Sequence, residues 1–283
     1  MKLLLQKNYK DYNGWNWTLC KMLARSNLFE ISEFDFPYKN IPGVRNGNWC
    51  TLELDGVRIG LDTWDTWSPT CHYLDNGLFN TILKDIKIIF KIQYYKHEYW
   101  DKTFPEKTGI KVLPWTVMPT HHFELGRISW NPYKNHKYIG SITGRNNRFG
   151  RQPWVNEAAK HKDFYTKTDY VSTDPQNDYM NILSECKWGI ILKGKQRNHD
   201  GKNRREVEFS SLGMPIALSY IPTYPFEMKP NIHFYHLTNP LDLLKLRDVN
   251  PGPFSEASKQ LYRDYFSPTG MSKLLIKLVK ENT

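Results

Sequence analysis

Residues 61–77, LDTWDTWSPTCHYLDNG, collect more chemically useful side chains than any other short stretch of this chain. Asp62, Asp65 and Asp75 stand among Trp64, Trp67, His72 and Tyr73. A carboxylate at the end of a strand can take a proton from a hydroxyl as general base. Flat aromatic faces beside it stack on ring-shaped substrates. Asp62, Asp65 and Asp75 are therefore the candidate bases, and Trp64, Trp67, His72 and Tyr73 the candidate contacts to the molecule that is deprotonated. Asp75 stands furthest from the strand end and is the first choice. Each has a structural alternative: Asp62 could cap the next turn, and Asp75 lies in Asp-Asn-Gly, an ordinary turn sequence.

A second set is basic. Thr143, Gly144, Arg145, Arg148 and Arg151 follow one apolar run, Lys193 follows another, and His199, Arg204 and Arg205 precede an amphipathic stretch. Glycine lets the backbone approach a phosphate, arginine adds bidentate hydrogen bonds, and helix N-terminal amides favour negative charge. The ligand that suits such a set is a diphosphate, with Arg148, Lys193 and Arg205 as its main partners. His199 adds a hydrogen bond to the diphosphate or to the group it carries. Glu208 is a different signal, because a carboxylate beside a diphosphate must face a neutral part of the ligand. A ribose offers two adjacent hydroxyls, each able to donate to it. The alternative is a surface helix whose Arg and Glu form spaced ion pairs.

No metal site is expected. Two residues separate Asp62 from Asp65, so there is no Asp-x-Asp, and the adjacent His121 and His122 point to opposite sides of an extended segment. Arginine and lysine take the place of a metal in stabilising a departing diphosphate.

These residues need elements to hold them. Short apolar runs alternate with amphipathic stretches, which implies parallel sheets and an α/β fold. In the first half LLLQ, LFEISEF, TLEL, VRIGLDT, IKIIFKIQY and IKVLPWTV read as strands, and Asp55-Gly56 as a tight hairpin turn. Lys91 and Gln93 share one face of the IFKIQY strand; an acceptor contact is one reading, and a lysine snorkelling from the strand end is the favoured one. Residues 119–136 are irregular and mark a boundary. In the second half KYIGSITG, DFYTKT, WGIILKG, MPIALSY and NIHFYHL read as strands. RQPWVNEAAKHK and GKNRREVEFSSLG read as helices, the latter ended by Gly213. DPQNDYMNILSECK reads as a helix with Tyr179, Ile182, Leu183 and Cys186 on one face. Two helical segments close the chain. The expected division is residues 1–125, 126–265, and a C-terminal helix, 266–283, that packs back on the first domain.

The chain has 283 residues, 40% hydrophobic and 14% aromatic, enough for a sizeable core and an excess of ring faces. A formal charge of +10 favours anionic partners. Cys20, Cys50, Cys71 and Cys186 are scattered without a C-x-x-C pair, which suits a reducing compartment, and a cytoplasmic location is expected. The N-terminal apolar patch is too short for a secretory signal, and no apolar run approaches a membrane span, so no membrane insertion is expected.

Three segments carry a family resemblance. EFSSLGMPIAL, YIGSITGRNNRFGRQPW and KWGIILKGKQRNHDGKNRREVEF, together about residues 137–220, resemble the donor half of GT-B glycosyltransferases, the last of them the exostosin-like branch. The resemblance implies two Rossmann-like domains facing a cleft, with Glu208 on the nucleotide ribose and an Arg before that helix near the diphosphate. Some branches carry an earlier Glu with seven residues intervening; Asp200 stands there, a departure from the pattern. The implied reaction moves a sugar from a UDP- or GDP-linked donor onto a glycan or glycoprotein, with inversion and with no other cofactor. Size and composition resemble the small soluble transferases of large algal viruses, which implies xylose from UDP-xylose and a viral capsid N-glycan; fucose and rhamnose are the alternatives. Two other readings stay open. One is a basic single-stranded nucleic-acid-binding protein, although no nucleic-acid recognition motif is visible. The other is a non-catalytic sugar-binding module.

Overall fold

The structure is a computed structural model that describes residues 1–7, 9–10, 15–35, 49–62, 83, 85–92, 94, 99–116, 130–131, 134–143, 150–167, 175–193 and 204–283. In chain order the first elements are β1 (Lys2–Gln6), α1 (Trp15–Ala24), β2 (Glu30–Phe34), β3 (Trp49–Leu54), β4 (Val57–Asp62) and β5 (Ile88–Lys91). A π-helical turn (Tyr99–Thr103) leads into α2 (Phe104–Thr108) and β6 (Lys111–Pro114). Then come β7 (Tyr138–Thr143), α3 (Gln152–Ala159), β8 (Phe164–Lys167), α4 (Pro175–Ser184), β9 (Cys186–Ile191) and α5 (Arg204–Leu212). The chain closes with β10 (Ile216–Leu218), β11 (Tyr235–His236), α6 (Asp242–Lys245), α7 (Gly252–Leu261), a second π-helical turn (Tyr262–Phe266) and α8 (Pro268–Asn282).

Two compact units result, one of residues 1–121, 223–225 and 264–283, the other of residues 122–222 and 226–263. Both are α/β, the class read from the alternation of strands and helices.

The first unit holds a six-stranded sheet in the order β2-β1-β3-β4-β5-β6. β4, β5 and β6 run parallel, while β3 pairs antiparallel with both β1 and β4. The β3–β4 hairpin turns through Asp55 and Gly56, both at positive φ (46° and 86°), the geometry that a two-residue turn between twisted strands requires. Helix α8 packs on α1 in this unit, and Lys111 Nζ donates to the Asn282 carbonyl at 3.0 Å.

One expectation about this sheet is corrected. Lys91 does not snorkel to water. It is wholly buried, and its Nζ donates to Asp62 Oδ2 at 2.8 Å. The reason is register: Asp62 and Lys91 are direct partners on the neighbouring parallel strands β4 and β5.

The second unit holds a five-stranded, all-parallel sheet in the order β11-β10-β9-β7-β8. Its first strand, β7, lies inside. The second, β8, goes to one side and the third, β9, to the other. The chain therefore reverses its winding between β7 and β9, and such a switch point opens a crevice at the carboxyl ends of the two strands. Ile139, Ile142, Phe164, Trp188 and Ile190 form the centre of the core. Trp188 packs against Phe254 at 5.4 Å between ring centroids and donates its indole N–H to the Leu246 carbonyl at 3.2 Å.

Two further differences from the sequence reading concern this unit. Cys186 does not lie on the face of a helix. The helix stops at Ser184, and Cys186 opens β9, because Trp188 and Ile190 alternate into the core with the period of a strand. The short helices α2 and α6 were not anticipated; both are under two turns long and carry too little periodicity to be read.

Candidate functional site

The candidate residues of the second unit lie at the carboxyl ends of β7 and β9 and on α5, the helix that precedes β10. The most closely held of these elements is α5. Gly189 in β9 allows this helix to lie tight on the sheet, because a Cβ there would come within 2.3 Å of the Phe209 ring. At its far end Gly213 takes φ 69°, and the Met214 N–H bonds the Phe209 carbonyl at 3.0 Å, which satisfies the last carbonyls. Ser255 Oγ donates to the Gly213 carbonyl at 2.6 Å and ties this end to α7. Glu206 through Ser210 are all buried, so α5 is not an exposed surface helix.

The first turn of α5 carries the charge. Arg205 is half-buried, with its guanidinium carbon 5.3 Å from the centre of the Tyr179 ring on α4. That is cation–π range. Glu206 is 0% exposed, and the Tyr220 hydroxyl donates to its Oε1. Glu208 is 3% exposed. Burial, together with the adjacent Glu206 carboxylate, pushes the Tyr220 phenol well above its ordinary range; Arg151 and Arg205 pull it the other way. Tyr220 thus remains a hydrogen-bond donor across the whole neutral range.

Arg151 stands just ahead of α3 and reaches the end of β9. Its Nε donates to the Lys193 carbonyl at 3.1 Å and its Nη2 to the Leu192 carbonyl at 3.3 Å. The Lys193 N–H donates to Ser219 Oγ at 2.8 Å, and the Ser219 N–H to the Ile191 carbonyl at 3.1 Å. Backbone and side chains therefore fix Lys193 at the switch point.

Of the donor set read from sequence, Thr143 ends β7, Lys193 follows β9, and Arg204, Arg205 and Glu208 lie on α5. Gly144, Arg145, Arg148 and His199 lie outside the described residues, as do Asp65, Asp75, Trp64, Trp67, His72 and Tyr73. Asp62 is described, and its carboxylate is engaged by Lys91 in the first unit. Sequence reasoning missed Glu206, Tyr220, Tyr179 and Ser219. Only Glu206 had a signal, since it stands three residues before Phe209 on the helix face that meets the sheet.

A cavity of about 310 Å³ opens elsewhere in this unit, at the amino end of β7, lined by Lys134, His136, Tyr138, Asp163 and Lys187. Among the described residues no cluster of His, Cys, Asp or Glu is suited to a metal ion, and no helix is long and apolar enough to cross a membrane.

The sequence matches no family model and no curated protein. Several solved structures resemble the chain in shape. TarM is 12% identical, with 69% of this chain and 45% of that one covered and a TM-score of 0.43. The GtfA/B complex is 10% identical, with coverage of 78% and 52% and a TM-score of 0.45. The pneumococcal O-GlcNAc transferase GtfA, in complex with UDP and GlcNAc, is 11% identical, with coverage of 74% and 47% and a TM-score of 0.39. The chain spans about half the length of these structures.

Proposed function

We propose that this chain is a glycosyltransferase of the GT-B type that binds a nucleotide-sugar in its second unit and transfers the sugar to a glycan hydroxyl. The observation that carries the reading is the buried Glu208 on α5 beside Arg205, with Lys193 and Arg151 gathered at the same switch point. Guanidinium and ammonium groups there meet a diphosphate, and the carboxylate of Glu208 accepts from the ribose hydroxyls.

In the reaction a base removes the proton from the acceptor hydroxyl. The oxygen attacks the anomeric carbon, the bond to the diphosphate breaks, and Arg and Lys stabilise the charge that the leaving group gathers. Asp65 and Asp75 are the proposed bases; Asp62 is the weaker choice because its carboxylate already accepts from Lys91. Attack from the face opposite the leaving group inverts the anomeric centre. No divalent cation is assigned a role. For the sugar, the resemblance to algal-virus transferases favours xylose from UDP-xylose, with a capsid N-glycan as acceptor.

The test is binding and turnover with a panel of UDP- and GDP-linked sugars, which reports base, sugar and activity together. Glu208→Ala is expected to weaken nucleoside diphosphate binding by about 10- to 100-fold, the worth of hydrogen bonds to a buried charged group. Its melting curve should show a folded protein. Unchanged affinity in that variant, or no binding of UDP or GDP by the unmodified chain, removes the proposal.

A further inference from the structure

We propose that the cavity at the amino end of β7 is a second binding site, for a phosphate group that is free or carried by a small molecule such as a sugar phosphate. The inference does not rest on the donor reading. β7 spans Tyr138–Thr143, and at about 3.3 Å per residue its two ends stand roughly 17 Å apart. The cavity is therefore not part of the crevice at the carboxyl ends of the strands.

Strand pairing builds it. Tyr138 at the start of β7 pairs with Cys186 at the start of β9, which brings Lys187 alongside. On the other side the Ile139 N–H donates to the Asp163 carbonyl at 2.7 Å, the residue that leads into β8. Cys186 and Trp188 are buried in the core, so Lys187 between them faces the opposite side of the sheet. The chain ahead of β7 adds Lys134 and His136 to the lining. The His136 ring stacks on Trp130 at 5.3 Å between centroids, and the Trp130 indole N–H donates to the Cys186 carbonyl at 2.9 Å.

The charges here are unbalanced. The carboxylate of Asp163 is already taken, since both its oxygens accept from Arg247, at 2.9 and 3.1 Å. Lys137, exposed at the rim, stands 3.9 Å from Glu185. Lys134 and Lys187 meet main-chain carbonyls instead. Lys134 Nζ lies 3.5 Å from that of Ser184, and Lys187 Nζ 2.9 and 3.4 Å from those of Arg247 and Leu246. An ammonium has three N–H donors, so each is tethered and still has one to give. Burial lowers the pKa of Lys187, although the Asp248 charge pulls it up. Burial also lowers that of His136, and Lys134 and Lys187 add to the effect against backbone groups of Asn131 and Ser184. Cations drawn together and partly withdrawn from water are compensated by an anion. Phosphate oxygens accept from several such donors at once. A volume of about 310 Å³ is in the range of small-molecule sites, which leaves room for more than the phosphate itself.

The experiment titrates the unmodified chain, Lys134→Met and Lys187→Met with inorganic phosphate, glucose 1-phosphate and glucose. Calorimetry reads affinity, and NMR follows the His136 ring signal, the one missing from His136→Gln. Both anions are expected to bind, and glucose is not. Bound anion should move the His136 signal and raise its titration midpoint, because a nearby negative charge favours the protonated ring. Each lysine variant keeps the stem and removes the charge, and affinity for the anions is expected to fall about tenfold. Should Lys187→Met fail to fold, the exposed Lys134 carries the test through its own variant. The tighter-bound anion tells whether the phosphate is taken free or on a sugar. No binding of either anion at about 10 mM overturns the inference. So does binding that leaves the His136 signal in place and is unchanged in both lysine variants, since such an anion sits elsewhere, as at the donor crevice. Failure to bind UDP or GDP would sink the donor reading and leave this site standing.

Discussion

The Asp62–Lys91 pair shows how much a single cross-strand contact decides. Both side chains are withdrawn from water at the carboxyl ends of β4 and β5, immediately before the stretch that carries Asp65 and Asp75. A buried pair contributes little relative to apolar groups of the same shape, yet removing one partner strands the other charge. Lys91→Ala is therefore expected to lose about 3–5 kcal/mol in urea denaturation. The double change Lys91→Met with Asp62→Leu removes both charges and should recover most of that loss. If Lys91→Ala is as stable as the unmodified chain, the pair is not the constraint described here. Glu208 and Glu206 make a related contrast on α5. Two residues apart on a helix, they face different directions, so the sequence pattern that singles out Glu208 says nothing of Glu206.

Among the elements, α5 is placed by its ends and by one absent side chain. Gly189 gives Phe209 its seat on β9, and Gly213 stops the helix so that β10 can begin three residues later. Gly189→Ala puts a methyl group against the Phe209 ring and moves the helix that bears Arg205, Glu206 and Glu208. A loss of about 1–3 kcal/mol in thermal or urea unfolding is expected, as for other overpacked cores. UDP affinity should fall with it, and a variant that loses stability but keeps full affinity would show that α5 does not need this seat to hold the ligand. At the start of α6 one carboxylate ties down the chain that leads into the helix. Asp242 Oδ2 accepts from Thr238 N at 2.7 Å, Thr238 Oγ1 at 2.7 Å and Asn239 N at 3.1 Å, while Lys245 pairs with Oδ1 at 2.7 Å. Burial works against the charge, but these bonds outweigh it and hold the carboxyl well below its ordinary range. A folded value below the unfolded one means that the contribution is complete above the unfolded pKa. It is lost as pH falls through the folded value. Asp242→Asn should cost about 1–3 kcal/mol at pH 7 and progressively less as acid protonates the native carboxyl in the folded protein. A loss that stays the same on acidification would show that the charge of Asp242 is not what these bonds depend on.

For the whole molecule, a formal charge of +10 sets the background against which any anion binds. Charge spread over an exposed surface is screened within about 8 Å at physiological salt, whereas groups partly withdrawn from water are screened less. Binding of a generic single-stranded oligonucleotide is therefore expected to vanish by about 150 mM salt. UDP binding at the half-buried Lys193 and Arg205 should decline only modestly over the same range. Tight, salt-resistant oligonucleotide binding would favour the nucleic-acid reading instead.

Local chemistry made much of this protein readable from its residues. Asp55-Gly56 names its own turn, Gly213 its own helix end, and alternating apolar runs announce parallel sheets, because each depends on neighbours within a few positions. The basic residues that cluster after β7 and β9 could be proposed as a site on the same local footing, since strand ends are where such sheets bind ligands. The strand order of the second unit, the register that buries Lys91 against Asp62, and the meeting of Glu206 with Tyr220 were decided only by the tertiary structure. Each joins residues from separate elements, and nothing in the local spacing of the chain records which strand lies beside which. The packing of whole sheets and helices settles those contacts, and with them which charges are buried.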